Sequence, residues 1–149
     1  QANEIKKKIF KGFKKSCHTL YKFDSDSERI FAIVLEDDKS VEKWMCPDIK
    51  QFSIFYDHDS TSPYQPDFVV ETAAKIYMIE VKNRNQLKDE VVQKKAHAAI
   101  EYCRAATEFN EKNGGKPWEY AILPHDMIHM QSSFTHLVEN REAVEEKLF

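Results

Sequence analysis

Residues 66–82 read Pro-Asp-Phe-Val-Val-Glu-Thr-Ala-Ala-Lys-Ile-Tyr-Met-Ile-Glu-Val-Lys, and this stretch gives the strongest indication of the fold. Residues 67–72 and 76–82 are rich in β-branched and aromatic side chains, so each favours a strand, and the short connection favours a hairpin. A turn centred between Ala73 and Ala74 would place Asp67 opposite Glu80. A loop with an odd number of residues would shift this register, because loop length sets the pairing of a hairpin.

The acidic ends of these two strands carry the candidate chemistry. Two carboxylates directly opposite each other on an antiparallel pair repel and weaken the sheet. Asp67 and Glu80 make physical sense there if a divalent cation lies between them, and such oxygen ligands suit Mg²⁺ or Mn²⁺. Lys82 would then orient a water molecule and stabilise charge that builds up on phosphorus. The alternative is a surface ion-pair cluster in which Lys82 neutralises Glu80.

The rest of the pattern predicts helices that cover a small mixed sheet. Ser25 and Glu28 have capping-box spacing, which predicts a helix that ends in the acidic run 36–38. Residues 87–109 are rich in alanine and predict a long helix packed closely on the sheet. The predicted fold class is therefore α/β (α+β), a sandwich of sheet and helices. Further predicted elements are an extended segment at 41–45, a strand at 52–56, a polar loop at 57–63, a strand at 118–123 and a closing helix at 134–148.

The N-terminal segment is amphipathic and strongly basic. Residues 4–15 place Ile5, Ile9, Phe10 and Phe13 on one helical stripe, with lysines on most other positions, and this predicts a helix. Two interpretations stay open: a basic arm against DNA or an acidic membrane, and a surface helix packed on the domain.

The composition favours one folded domain and excludes several classes of protein. The chain has 149 residues, of which 42% are hydrophobic and 32% charged, and this argues against disorder. The net charge of −3 excludes a nucleic-acid binder held by overall positive charge, although residues 82–95 are locally basic. The chain has three cysteines and no CxxC spacing, which argues against a disulfide framework and a cysteine zinc site.

The same sequence suggests a compartment. It contains no apolar run of about 18 residues and nothing that reads as a signal peptide, so we expect no membrane partner and a cytoplasmic location. A chain that begins with Gln1 rather than Met suggests a piece of a longer protein.

The residues around the motif resemble a known nuclease family. Pro66-Asp67, followed by Glu80-Val81-Lys82 at the end of the next strand, resembles the signature of the PD-(D/E)XK nuclease superfamily. Over roughly residues 20–125, the chain resembles the C-terminal endonuclease domain of the Res subunit of type III restriction enzymes. The stretches that carry this resemblance are Ser25-Asp26-Ser27-Glu28, Phe31-Ala32, Tyr64-Gln65-Pro66-Asp67-Phe68-Val69-Val70-Glu71-Thr72, Ile79-Glu80-Val81-Lys82, Lys95-Ala96, Ala98-Ala99 and Trp118-Glu119-Tyr120 before Pro124.

The resemblance implies a restriction-endonuclease-like sandwich that hydrolyses double-stranded DNA with Mg²⁺, or with Mn²⁺ as a substitute. It implies that Asp67 and Glu80 bind the metal, that Val81 offers its main-chain carbonyl, and that Lys82 serves catalysis. Glu28 matches an additional metal ligand of the superfamily, and helix capping is its competing role. The implied partners are an upstream helicase/ATPase region and a methyltransferase (Mod) subunit, in defence against foreign DNA. Candidate DNA contacts are Arg84, Gln93, Lys94 and Lys95, with a solvated surface as the alternative.

These inferences divide the chain and leave other functions open. Residues 1–20 are expected to form a basic N-terminal helix or linker, and residues 21–149 the nuclease domain. One alternative is a stand-alone repair or junction-resolving nuclease of the same superfamily. Another is a catalytically silent DNA-binding or docking module, against which the joint presence of Asp67, Glu80 and Lys82 argues.

Overall fold

The computed structural model describes residues 2–48, 50–56 and 63–145. Four helices and eight strands follow one another in these ranges, with two short 3-10 turns at Arg84–Gln86 and His125–Met127. In chain order they are α1 (Ala2–Ile5), β1 (Phe10–Lys11), β2 (Leu20–Tyr21), α2 (Asp26–Asp37), β3 (Val41–Met45), β4 (Ile54–Phe55), β5 (Pro63–Tyr64), β6 (Phe68–Thr72), β7 (Ile76–Lys82), α3 (Glu90–Asn113), β8 (Trp118–Pro124) and α4 (Phe134–Glu139).

A mixed four-stranded sheet lies at the centre of the protein, with the strand order β3-β6-β7-β8. The predicted hairpin forms in the predicted register, with Val70 opposite Tyr77 and Phe68 opposite Ile79. Its turn is closed by the Thr72 N–H, which donates to the Lys75 carbonyl at 2.9 Å. Because β7 runs parallel to β8 but antiparallel to β6, the sheet is mixed, and the predicted fold class is confirmed.

Helices cover both faces of this sheet. On one face α2 brings Phe31 against Phe68, with the two rings 4.9 Å apart and both side chains fully buried. On the other face α3 packs its small residues Ala96 and Ala99 in the core that contains Met78. Small side chains let a helix lie close to a sheet, which is why the alanine-rich sequence specified this contact.

Helix boundaries follow local sequence signals where those signals are strong. Ser25 is the N-cap of α2, and its hydroxyl accepts a hydrogen bond from the Glu28 N–H at 3.2 Å, as the capping box predicts. The long helix is shifted from 87–109 to Glu90–Asn113, and it ends at Gly114, which adopts φ +73° as a left-handed cap. None of the helices in the described ranges is long and apolar enough to cross a membrane.

The predicted N-terminal helix at 4–15 is wrong. Helix α1 ends at Ile5, and Phe10–Lys11 pairs with Leu20–Tyr21 as a small antiparallel hairpin. Gly12 has φ +94°, which interrupts a helix, and the Phe13 ring packs 5.1 Å from the Trp44 ring. Contacts with the core therefore override the helical periodicity of this segment.

The predicted closing helix at 134–148 is also too long. Helix α4 ends at Glu139, because the following residues bond to β8 instead: the Glu142 N–H donates to the Ile122 carbonyl at 3.1 Å. The Arg141 guanidinium donates to the Tyr120 carbonyl at 2.8 Å and holds this turn. Residues 146–148 of the prediction lie outside the described residues.

The predicted strand at 52–56 shortens to Ile54–Phe55, which pairs with Pro63–Tyr64. Residues 57–62 of the predicted polar loop lie outside the described residues. The extended segment at 41–45 is strand β3, and the strand predicted at 118–123 is β8.

Candidate active site

Asp67 and Glu80 lie side by side at the end of the β6–β7 hairpin that is remote from its turn. The register of the two strands, continued by one pair beyond Phe68 and Ile79, places them opposite each other. Asp67 precedes β6, and its Oδ2 accepts a hydrogen bond from the Val81 N–H at 2.9 Å. The two carboxyl groups also interact with each other, and this interaction raises the pKa of Asp67 and lowers that of Glu80.

The electrostatics of this pair are unusual for a surface cluster. Burial raises the pKa of Asp67 well above its ordinary value, and the charge of Glu80 raises it further. Burial also raises the pKa of Glu80, which is only 7% exposed, although a hydrogen bond from Tyr64 and the charge of Lys82 act in the opposite direction. Buried, mutually repelling carboxyl groups in a cleft are typical of functional sites rather than of exposed ion pairs.

Glu28 approaches this pair from the start of α2. The Ser25 hydroxyl, which caps α2, donates to its Oε2 at 3.0 Å, so this bond joins the Glu28 carboxylate to the side chain of the N-cap residue. Burial, followed by the charge of Asp67, raises the pKa of Glu28 to about 7. Glu28 therefore interacts electrostatically with Asp67 even though its carboxylate is hydrogen-bonded to Ser25. Its role as a metal ligand stays a prediction.

Lys82 and Val81 complete the motif at the end of β7. The Lys82 side chain is half-buried, lines one cleft with Glu28 and Asp67, and its charge opposes the rise in pKa of both. The N–H and C=O of one strand residue point toward the same neighbouring strand. The Val81 carbonyl therefore faces the same side as its N–H, which is the side of Asp67.

The donor set suits a hard divalent cation. Two carboxylates and one carbonyl are oxygen ligands of the kind that Mg²⁺ and Mn²⁺ prefer. Across residues 2–48, 50–56 and 63–145, no group of three or more His, Cys, Asp or Glu side chains is arranged to hold a metal ion. A cation between Asp67 and Glu80 would therefore complete its shell with the Val81 carbonyl, water or substrate oxygens, as Mg²⁺ commonly does.

Tyr64 is a site residue to which the sequence analysis gave no role. Its buried hydroxyl donates to Glu80 Oε2 at 2.6 Å and fixes the orientation of that carboxylate. The available signal was its position three residues before Asp67, but no spacing rule assigns a role to a tyrosine there.

Among the four candidate DNA contacts, Lys95 is linked to the carboxylate pair by its charge. Its Nζ lies 5.3 Å from the centroid of the Tyr56 ring and 5.7 Å from that of Tyr64, and its charge lowers the pKa of Glu80. Gln93, in contrast, is 5% exposed, and its Nε2 donates to the Leu87 carbonyl at 2.6 Å. The other end of the Gln93 amide accepts from the Glu145 N–H at 3.0 Å, so a direct contact with DNA would require both bonds to break.

The other two candidates are occupied by ion pairs. Arg84 forms ion pairs with Asp126 at 2.8 Å and with Glu142 at 2.9 Å. Lys94 pairs with Glu90 one turn away at 2.9 Å. The basic segment predicted at 82–95 is therefore partly neutralised within the fold.

Two clefts of about 360 Å³ each share Asp24, Glu28 and Asp67 in their walls. One extends along the end of β7 and includes Lys82. The other extends between the β1–β2 hairpin and the segment after β3, and it includes Lys22. The carboxylates of Asp67 and Glu28 are therefore accessible from two sides, whereas Glu80 lines neither cleft.

A mixed sheet with a Pro-Asp and a Glu-x-Lys motif on neighbouring strands defines a nuclease-like domain. Comparison with protein families supports this class: residues 38–107 match the family described as TnsA-like endonuclease, N-terminal. The match contains Asp67, Glu80 and Lys82, and it supports a restriction-endonuclease-like nuclease of the PD-(D/E)XK type rather than the type III Res subunit in particular. No curated protein matches the chain.

Proposed function

We propose that this chain is a divalent-cation-dependent endonuclease domain that hydrolyses phosphodiester bonds of double-stranded DNA. The observation that carries the proposal is the pair formed by the half-buried Asp67 and the buried Glu80, with the pKa of both carboxyl groups raised, beside the half-buried Lys82 at the end of β7. The cation is Mg²⁺, with Mn²⁺ as a substitute, because the donors are all oxygen atoms.

Each residue has a distinct part in this chemistry. Asp67 and Glu80 would hold a divalent cation, which when bound would supply polarisation of a phosphoryl oxygen and a lower pKa for a bound water molecule. Hydrogen bonds from the Val81 N–H to Asp67 and from Tyr64 to Glu80 hold the two carboxylates in place. The Lys82 ammonium orients the attacking water and stabilises the negative charge that develops on the phosphoryl oxygens.

The biological setting is a finer part of the proposal. The resemblance to the Res endonuclease domain favours restriction of foreign DNA, with a helicase/ATPase region and a Mod subunit as partners. The family match favours a second candidate, an endonuclease that resembles the TnsA-like N-terminal domain. A stand-alone repair or junction-resolving nuclease is a third, and the upstream coding sequence discriminates among them, since helicase motifs there would favour the Res reading.

Nicking of supercoiled plasmid DNA tests the proposal. We expect weak nicking with Mg²⁺ or Mn²⁺, none with EDTA, and none after Lys82→Ala or Glu80→Ala. Lys116→Ala is the matched control, because Lys116 is a lysine at the opposite end of the sheet, paired with Glu71 at 2.8 Å. Equal nicking by the parent, the Lys82 variant and the Glu80 variant would reject the catalytic assignment.

A further inference from the structure

We propose that the β1–β2 hairpin, together with Lys22 directly after it, binds the phosphate backbone of duplex DNA beside the carboxylate pair. This inference rests on the proposed function, because it names the surface on which that substrate lies. It concerns Lys11 and Lys14, which lie in the segment 4–15 that the sequence left open as a basic arm, and Lys22, to which the sequence assigned no role.

The charge of this region differs from that of the basic segment 82–95. Residues 2–23 contain seven lysines and a single acid, Glu4. Lys15 is used by the fold, since its Nζ donates to the Asp38 carbonyl at 2.6 Å. The other six lysines are exposed, and none forms an ion pair with a carboxylate in the described ranges, so their charges stay available; they are Lys6, Lys7, Lys8, Lys11, Lys14 and Lys22.

The hairpin is fixed to the core rather than attached as a loose arm. The Phe10 ring lies 5.5 Å from the Phe23 ring, and the Trp44 N–H donates to the Lys15 carbonyl at 3.2 Å. The main-chain N–H of Lys14 donates to a carboxylate oxygen of Glu36 at 2.8 Å. A lysine carried on such a rigid element loses less conformational freedom when it binds a phosphate.

The hairpin also borders the site directly. His18, Leu20 and Lys22 line the cleft that includes Glu28 and Asp67. Asp24 and Asp48 line the same cleft, so a phosphate backbone would be repelled there unless cations lie close by. Lys22 supplies positive charge in the cleft wall, and Lys11, which pairs with the cleft residue Leu20, and Lys14 extend that charge along the hairpin segment. A divalent cation would supply it at Asp67 and Glu80.

Duplex DNA fits this arrangement better than an anionic membrane. The cleft that the hairpin borders extends to Asp67 of the carboxylate pair. A flat bilayer surface cannot enter this cleft. Phosphates spaced along a duplex can contact the lysines while one phosphate lies at the cation. A nuclease needs such a binding surface that continues to the bond it cleaves.

The test is the salt dependence of binding to a labelled duplex of about 25 base pairs, in EDTA so that no cleavage occurs. Each lost phosphate contact lowers the slope of log K against log salt by about 0.9. The triple variant Lys11→Ala, Lys14→Ala, Lys22→Ala should lower the slope by about 2 to 3 and weaken binding about tenfold or more in 0.1 M salt. The control Lys39→Ala, Lys43→Ala, Lys112→Ala removes three exposed lysines that line neither cleft and should leave both values unchanged.

The outcomes separate this proposal from the proposed function. A slope that falls equally in both triple variants, or in neither, would overturn the hairpin assignment even if the parent nicks plasmid DNA. A parent that binds vesicles containing phosphatidylserine but not the duplex would overturn it as well. A specific fall in slope without any nicking would support the binding surface and count against the nuclease. Thermal unfolding of all three proteins must coincide for the comparison to hold.

Discussion

The two ends of the central sheet treat acidic side chains in opposite ways. At the turn end, Glu71 pairs with Lys116 at 2.8 Å, and Glu119 pairs with Lys75 at 3.2 Å. At the other end, the half-buried Asp67 lies against the buried Glu80, and desolvation raises the pKa of each. At the turn end, Glu71 and Glu119 are each paired with a lysine. At the other end, the pKa values of Asp67 and Glu80 stay raised, so nearby positive charge does not fully balance their negative charge.

This difference indicates what each end is for. Exposed ion pairs add little to stability, typically about 0–1 kcal/mol, and they serve solubility and register. A buried carboxylate pair lowers stability until a cation or proton joins it, so its presence points to a function. Substitutions at each end of the sheet test this functional difference.

The largest effect is expected for Asp67→Asn. This change removes one of the two proposed cation ligands and should reduce metal-dependent nicking by at least about 100-fold. It also relieves the repulsion with Glu80, so the metal-free protein should gain about 1–2 kcal/mol in free energy of unfolding. Plasmid nicking and urea denaturation in EDTA measure the two effects. Lost activity together with lost stability would point to simple misfolding.

Next in size is a pH effect at Glu28. Its pKa of about 7 in the folded protein is above the ordinary 4.5, so its stabilising contribution is complete below pH 4.5 and is lost as pH rises through 7. Glu28→Gln removes this titration. The melting temperature of the variant minus that of the parent, in EDTA, should therefore become more positive from pH 5 to pH 8. A difference that is constant with pH would show that Glu28 is not titrating in this range.

A smaller effect is expected for Tyr64→Phe, which removes the hydroxyl that donates to Glu80 at 2.6 Å. Partners of metal ligands orient them, and their loss commonly weakens metal binding about tenfold. The concentration of Mn²⁺ that gives half-maximal nicking should rise accordingly, while the rate at saturating Mn²⁺ changes less. Tyr77→Phe is the control, since Tyr77 is a β7 tyrosine on the α2 side, whose ring lies 5.3 Å from that of Phe134. Identical Mn²⁺ dependence in parent and Tyr64 variant would remove Tyr64 from the site.

The smallest effect is expected at the turn end. Lys75→Ala breaks the ion pair with Glu119 and should change the free energy of unfolding by less than about 1 kcal/mol. Plasmid nicking should not change, because the turn is at the far end of the hairpin. A loss of nicking as large as that of Asp67→Asn would show that the two ends of the sheet do not differ in function.

Local signals in the sequence predicted the central part of this fold. The β-prone runs around Ala73 and Ala74 determined the hairpin and its register, and Ser25 with Glu28 determined the start of α2. The prediction for residues 4–15 was wrong because that segment depends on distant partners, Trp44 and Glu36, that helical periodicity does not reveal.

The same limit applies within the site. The proximity of Asp67 and Glu80 follows from strand register, which period-two geometry and turn length set. Two other features depend on how separate segments pack. They are the hydrogen bond from the Glu145 N–H to Gln93 and the hydrogen bond from Tyr64 to Glu80. Residues that a single hairpin brings together were therefore predictable, and those contributed by packed neighbours were not.

The central claim is that the Asp67–Glu80 pair, whose carboxyl groups both have a raised pKa, binds a divalent cation and loses protons in doing so. Calorimetric titration of the protein with Mn²⁺ at pH 7.5, in two buffers with different heats of ionisation, tests this most directly. We expect saturable binding by the parent with release of about one proton, and no binding by the variant Asp67→Asn, Glu80→Gln. Equal binding by parent and variant, or no Mn²⁺ binding by the parent, would contradict it.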